Sequence, residues 1–307
     1  MYKRQSAARV LVAGDAMLDR YWFGDVERIS PEAPVPVLRV LTTEERLGGA
    51  ANVARNIVAV GARAGLLSVI GSDEAGRMVT ALAAQHRITP YLHEDATITT
   101  TVKLRLIARQ QQMVRADFEH APEAEVLTAH LDEYRGLLND YDAVLLSDYG
   151  KGGLTHIARM IELARAAGKP ILVDPKGDDY SRYAGATVIT PNRAELREVV
   201  GRWRDEADLT ARAQDLREQL RIDALLLTRS EEGMTLFTAD GAWSIPAVAR
   251  EVFDVSGAGD TVIAVLAVML AAGMPLRDAV SAANRAGGIV VGKLGTATVS
   301  YDELFGQ

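Results

Sequence analysis

The sequence predicts an α/β protein: a doubly wound, mostly parallel sheet flanked by helices, with a small β lid. Three observations carry this. Short apolar runs rich in Val, Ile and Leu recur along the chain, at residues 10–13, 143–146 and 224–227 among others, and strands buried on both faces read this way. Stretches rich in helix formers separate the runs, as in a sheet wound with crossover helices. The runs close on polar residues such as Asp15, Asp148, Asp174 and Thr228, at the strand ends where such sheets receive ligands.

Residues 10–13 read as the first buried strand, and Asp15 just beyond either ends it or caps a turn. Pro31, Pro34 and Pro36 exclude a helix between residues 28 and 40, and the alternation after them suggests an edge strand. Its expected partner is residues 100–109, where alternation sets Lys103, Arg105 and Arg109 on one face and Val102, Leu104 and Leu106 on the other. Segments of about 16–47 and 97–116 are therefore expected to form the lid. A basic face on such a strand either binds an anion or keeps an exposed edge from pairing. Between the lid pieces, Gly48 and Gly49 precede a helix of period near 3.6 that contains Asn52.

Strands are expected at 64–71, 143–148, 171–174, 187–190 and 224–228, with helical stretches at about 74–86 and 154–167 and a small-residue helix at 276–291. No internal repeat or linker interrupts the series, so residues 1–307 read as a single domain. Thr190-Pro191-Asn192-Arg193-Ala194-Glu195 gives Pro-Asn at a helix start with Glu in its first turn, which is good capping chemistry.

Composition narrows the function. The chain has 48% apolar and 24% charged residues, an ordinary globular balance, and a formal charge of −7, which argues against a general nucleic-acid surface. It has no cysteine, and its five histidines lack metal-ligand spacing, so any metal is expected to be a hard cation. No apolar run is long enough to cross a bilayer and no signal-peptide core opens the chain, so a cytoplasmic protein is expected. Gly287 to Lys293 fits the spacing of a phosphate-binding loop but lacks the following Ser or Thr, and no G-x-G-x-x-G follows the first strand, which disfavours a dinucleotide-binding dehydrogenase.

The stretch Asp254-Val255-Ser256-Gly257-Ala258-Gly259-Asp260-Thr261 carries the chemistry. Its small residues permit a tight turn before an apolar helix, leaving amide N–H groups aimed outward at the positive end of the helix dipole. Asp260 within that nest is either a cap or a group that takes a proton from a hydroxyl.

This stretch resembles the D-x-x-G-A-G-D signature of the ribokinase-like (PfkB) carbohydrate kinases, and Gly48-Gly49-Ala50-Ala51-Asn52-Val53-Ala54 resembles that family's G-G-A-x-N-x-A. The likeness runs from Asp15 to the C-terminal helices. It implies that Asp260 is the general base on a sugar hydroxyl and that the amides of Gly257, Ala258 and Gly259 hold the charge on the transferring phosphoryl group. Asp15, with Asp19 second to it, would grip sugar hydroxyls, Gly48 and Gly49 would admit the sugar, and Asn52 would hydrogen-bond it. Asn192 and Glu195 would organise magnesium through water, the turn from Thr228 to Gly233 would lie along ATP, and Asn284 would sit near the adenine. A monovalent cation, K⁺ among the options, is implied near Asp254, Ser256 and Gly295.

Residues 15–24, 28–36 and 174–180 look like those of the heptose 7-phosphate kinases of lipopolysaccharide biosynthesis. That group uses ATP and magnesium to phosphorylate the anomeric hydroxyl of D-glycero-D-manno-heptose 7-phosphate. Lys176, Arg105 and Arg109, with Lys103 in reserve, are then the candidates for the acceptor's own phosphate. Some relatives carry a fused nucleotidyltransferase with an H-x-G-H motif, which no pair of histidines here matches. Related kinases also pair through lid strands, so a homodimer is expected. The competing readings are a ribokinase-like kinase for ribose, fructose or a hexose phosphate, and a noncatalytic sugar or nucleotide sensor on the same fold.

Overall fold

The computed structural model describes residues 6–109, 111–122, 124–248, 252–293 and 295–306, so Gln110 of the expected lid lies outside it. The first strand, β1 (Arg9–Gly14), shows why its sequence is apolar throughout. Val10 and Val12 enter one buried cluster, while Leu11 and Ala13 enter another on the opposite face. A strand with a core on each side has no solvent face for polar residues.

The chain then leaves the sheet. β2 (Ala16–Ile29) folds back as β3 (Pro36–Gly49), which passes directly into α1 (Ala50–Ala59). β4 (Arg63–Gly71), α2 (Glu74–Gln85) and β5 (Thr89–Asp95) return to the main sheet. β6 (Val102–Ala108) rejoins β2, β7 (Gln111–Phe118) adds outside β6, and α3 (Ala124–Leu137) leads back to β8 (Ala143–Ser147). There follow α4 (Ile157–Ala166), β9 (Ile171–Asp174), β10 (Val188–Ile189), α5 (Arg193–Val200), α6 (Glu206–Gln219) and β11 (Ala224–Thr228). The chain closes with β12 (Met234–Thr238), β13 (Gly241–Ile245), α7 (Ala258–Ala271), α8 (Leu276–Val290) and α9 (Tyr301–Phe305).

Among the described residues these strands make a nine-stranded sheet, ordered β13-β12-β11-β10-β9-β8-β1-β4-β5, and a four-stranded sheet, ordered β3-β2-β6-β7. The large sheet is parallel except at β12 and β13, which add as antiparallel edge strands. Residues of α1, α2, α7 and α8 bury one face and residues of α3 to α6 the other, which is the doubly wound arrangement expected from the sequence. β1 pairs with β4 on one side and β8 on the other. Chain order reverses between β1 and β8, which opens a crevice at their C-terminal tips.

The small sheet differs from expectation in one respect. β6 does not pair with β3: β2 lies between them, antiparallel to β3 and parallel to β6. Register shifts at Phe23/Gly24 and Val26/Arg28 break the alternation of β2, so its 14 residues do not announce a strand in the sequence. A further shift at Leu106/Ile107 and the end of β6 at Ala108 leave Arg109 outside the strand, in a turn with φ 48°. It therefore does not share a face with Lys103 and Arg105.

Gly49 is the junction of the small sheet and α1. Its φ is 55°, and a Cβ there would collide with the carbonyl oxygen of Asp15, which accepts the Ala50 N–H at 3.0 Å. Gly49→Ala is expected to cost about 3 kcal/mol or more through strain and collision together. Denaturant unfolding of the purified variant checks this, and parent-like stability would contradict the geometry.

Candidate active site

The centre of the crevice is a caged carboxylate. Ten consecutive residues of α7, Asp260 to Met269, are buried, so the helix is enclosed on every side beyond the half-buried Ala258 and exposed Gly259 that open its first turn. Asp260 lies in that turn, 6% exposed. Tyr149 Oη donates to its Oδ1 at 2.6 Å, and Asn52 Nδ2 donates to its Oδ2 at 2.6 Å. Burial pushes the Asp260 carboxyl up to about 6 against the pull of these two donors, and Asp19 adds to the rise.

Beside it the helix start is bare. Gly257 occupies the N-cap position with φ 75° and no side chain caps the helix. Ala258 spends its N–H on the Val255 carbonyl at 3.1 Å, and Ser256 spends its own on Asp254 Oδ1 at 2.9 Å. The N–H groups of Gly257 and Gly259 find no acceptor among the described residues, and a Cβ at Gly259 would meet nothing within 4 Å. The expected nest thus exists with two of its three amides free, and Ala258 is the exception.

Asp15 bonds backbone amides. Its Oδ2 accepts the N–H groups of Tyr149 at 2.9 Å and Lys151 at 3.0 Å, and its Oδ1 accepts that of Gly153 at 3.0 Å. It shapes the loop after β8, and that loop carries Tyr149. Asp19, 4% exposed, receives Arg105 Nη1 at 2.8 Å. Gly48 makes room for it, since a Cβ there would stand 2.9 Å from the Asp19 carboxylate. Asn52 is fully buried on Asp260, while its own Oδ1 has no partner among the described residues.

The basic residues separate into three places. Arg105 is neutralised by Asp19 and stacks at 5.0 Å on Tyr21, whose ring also carries Arg46 at 4.7 Å. Lys103 Nζ sits 5.3 Å from the centroid of the Tyr149 ring and makes no ion pair among the described residues. Burial, with help from Arg105, holds its ammonium below the usual lysine range. Lys176 is held elsewhere: its Nζ meets Glu195 Oε1 at 3.4 Å. Arg109, exposed in its turn, joins none of these.

Beside Lys176, Asn192 caps α5 and Glu195 closes a capping box, its Oε2 accepting the Asn192 N–H at 3.0 Å. Thr228 bridges to Asn192, and its N–H bonds the Pro191 carbonyl at 3.0 Å. Gly233 lets β12 start hard against the end of β13, where a Cβ would collide with the Ile245 carbonyl. Asn284 is 3% exposed and donates to the Pro246 carbonyl at 2.8 Å, so its amide tethers a loop. Asp254, Ser256 and Gly295 do come together: Asp254 Oδ2 accepts the Gly295 N–H at 2.9 Å. Burial would raise the Asp254 carboxyl, but the hydrogen bonds from Ser256 and Gly295 win and hold it below the ordinary value.

Tyr149 is the site residue that sequence reasoning passed over. The signal available was an aromatic one residue past Ser147-Asp148, at the strand tip facing the switch point.

A desolvated carboxylate next to bare amides at a helix N-terminus is the layout of an enzyme that moves an anionic group onto a hydroxyl. The chain belongs to the pfkB family of carbohydrate kinases, whose family model matches residues 7–303. It is 55% identical over 305 residues to a D-beta-D-heptose 7-phosphate kinase of Bordetella bronchiseptica, covering 99% of this chain and 97% of that protein. It is 51% identical to the bifunctional protein HldE of Methylococcus capsulatus over 97% of this chain, which spans 63% of that protein's length. Among solved structures, Arabidopsis thaliana ribokinase complexed with ribose and ATP superposes with a TM-score of 0.78 at 17% identity, covering 98% of each chain. Escherichia coli phosphofructokinase-2 in complex with potassium gives 0.79 at 19% identity, covering 97% of this chain and 96% of that one. The fold is ribokinase-like, and the protein is an ATP-dependent sugar kinase.

A carboxyl whose folded pKa lies above its unfolded value stabilises the fold below the unfolded value and loses that contribution as pH rises through the folded one. For Asp260 that window runs from the ordinary 3.8 to about 6. Asp260→Asn removes the ionisation, so its stability relative to the parent is expected to improve by about 1 kcal/mol between pH 5 and pH 7.5. Chemical denaturation at the two pH values checks this, and an unchanged difference would show that Asp260 is not a desolvated acid.

Proposed function

We propose that this kinase transfers the γ-phosphoryl group of ATP to the anomeric C1 hydroxyl of D-glycero-D-manno-heptose 7-phosphate, giving the 1,7-bisphosphate of the lipopolysaccharide-core heptose route in the cytoplasm. The observation that carries the chemistry is Asp260, desolvated and held by two donors beside the free amides of Gly257 and Gly259. The acceptor is argued from the 55% identity to the Bordetella enzyme over nearly the whole of both chains.

In this reading Asp260 accepts the C1 hydroxyl proton as the sugar oxygen attacks the γ-phosphorus and ADP departs. The Gly257 and Gly259 amides lie where charge builds on the transferred group. Positioning supplies most of the acceleration and proton transfer a smaller part. The orphaned Asn52 Oδ1 is an acceptor for a sugar hydroxyl, which keeps Asn52 in the substrate site beside Gly48 and Gly49. Asp15 and Asp19 shape that site through Tyr149, Lys151, Gly153 and Arg105. Lys103 and Arg105 are set for the acceptor's phosphate, and Lys176 for a nucleotide phosphate.

No group of three His, Asp or Glu side chains among the described residues is arranged to chelate a metal. The residues fit magnesium as a hydrated ion, with Glu195 reaching it through water; bound with ATP, it would offset phosphate charge. Thr228, Gly233 and Asn284 build the walls along the nucleotide. The Asp254 carboxylate is already occupied by amides, so a monovalent cation such as K⁺ would be held there by backbone carbonyls. The small sheet exposes the apolar Ile29, Leu41, Val114 and Phe118, side chains that pairing with a second copy would cover.

Asp260→Asn is expected to lower turnover roughly a hundredfold or more while ATP binding stays within about threefold. ADP release with heptose 7-phosphate, ribose, fructose and fructose 6-phosphate tests both halves of the reading. Near-normal activity of the variant removes the base assignment, and a preference for another sugar removes the substrate. Light scattering of the parent should give twice the monomer mass, and Val114→Arg should shift it to monomer. A monomeric parent would end the homodimer reading.

A further inference from the structure

The loop after β8 is anchored more firmly than a connection needs. Asp15 accepts three of its N–H groups. Asp148, itself 4% exposed, accepts the Gly150 N–H at 2.8 Å and the Tyr183 hydroxyl at 2.9 Å. Two buried carboxylates thus clamp the residue between them on both sides. That residue is Tyr149, and its hydroxyl ends 2.6 Å from Asp260.

We propose that Tyr149 is a positioning residue for Asp260: its hydroxyl holds one carboxylate oxygen in place, keeps the group ionised, and so aims a remaining lone pair at the sugar hydroxyl. The inference rests on the kinase reading above and deepens it. A carboxylate fixed at one oxygen only is free to rotate. With Tyr149 from the β8 loop on Oδ1 and Asn52 from α1 on Oδ2, its plane is set from two separate elements. An O–H···O⁻ contact of this length is among the stronger hydrogen bonds available to a side chain.

The direction of donation is settled by electrostatics. Burial, then the charges of Asp260 and Asp174, holds the Tyr149 phenol far above its ordinary range. It therefore remains a proton donor at any working pH, and its bond favours the ionised form of Asp260 against the burial that disfavours it. The ring face does a second job. Lys103 of β6 lies over it, so a cation from the small sheet approaches the base across the same side chain. Asp19 and Asp117 draw that ammonium while Arg105 and Lys151 oppose it, and Asp19 and Lys103 act on Asp260 from the same quarter.

Tyr149→Phe keeps the ring under Lys103 and removes only the hydroxyl. With heptose 7-phosphate as acceptor, kcat is expected to fall about tenfold or more with KM for ATP within about threefold, because the lost contact serves the reacting group. The acid limb of the kcat/KM profile is expected to move up by about one pH unit. A direct readout needs no turnover: the carboxyl ¹³C resonance of Asp260, titrated in the substrate-free protein, should shift upward by the same amount in Tyr149→Phe. Substituting fluorotyrosine at 149, a stronger donor, should shift it downward. Asp260 titrating as in the parent in both variants overturns the inference, as does a shifted titration with unchanged turnover. A parent that phosphorylates no sugar phosphate while the titration still shifts supports the Tyr149–Asp260 coupling and removes the kinase reading alone.

Discussion

The site depends on one constraint: α7 has no solvent face. A helix buried from Asp260 through Met269 must be surrounded on every side, and here α1, α8 and the sheet surround it. Its first turn consequently ends among the strand tips, and the carboxylate it carries loses most of its water. A desolvated carboxylate has two stable responses, to hold its proton or to gather donors. Asp260 does both in part, with Tyr149 and Asn52 supplying donors and burial raising its proton affinity to a value useful near neutral pH.

The acidic residues around it are arranged by the same logic. Asp15, Asp19 and Asp148 are each 5% exposed or less, and each has donors that no solvent shell replaces. Asp15 takes backbone amides, Asp19 takes Arg105, and Asp148 takes Gly150 and Tyr183. Removing one partner of such a contact leaves the other buried and unpaired, which costs more than the bond itself contributes. The loops of the crevice are therefore held by charge as much as by packing, and Lys103 on β6 lies over the Tyr149 ring of the loop after β8.

Much of this was legible in the sequence, and the rest was not for identifiable reasons. The apolar runs marked the main sheet's parallel strands from β1 to β11 except β5, because burial on both faces makes them apolar throughout, while β5 and the antiparallel edge strands β12 and β13 went unmarked. The nest before α7 was legible because its glycines and its acid are neighbours in the chain. Tyr149 was not, because it meets Asp260 across 111 residues, and the Asn52 contact spans 208. Local spacing carries no information about such pairs. Arg109 was misplaced because strict alternation was extended through a register shift. Asn284 and Asp15, expected near ligands, also hold backbone, and a polar residue at a strand tip or helix face has the same sequence appearance in either employment.

The charge balance of the crevice sets its demands on a ligand. Asp15, Asp19, Asp148, Asp174 and Asp260 converge there, and burial, followed by the charge of Asp260, pushes the Asp174 carboxyl well above its ordinary range. An anionic substrate enters such a place only where cations or amides face it. Arg105 shares its charge with Asp19, and Lys176 shares its charge with Glu195. Lys103 differs: it is half-buried, its ammonium is destabilised by that burial, and it has no acid within ion-pair distance among the described residues. A phosphate bound beside it would favour its ammonium form. If the acceptor's phosphate is received at Lys103 as proposed, the same side chain, over the Tyr149 ring, links that phosphate to the carboxylate Tyr149 holds.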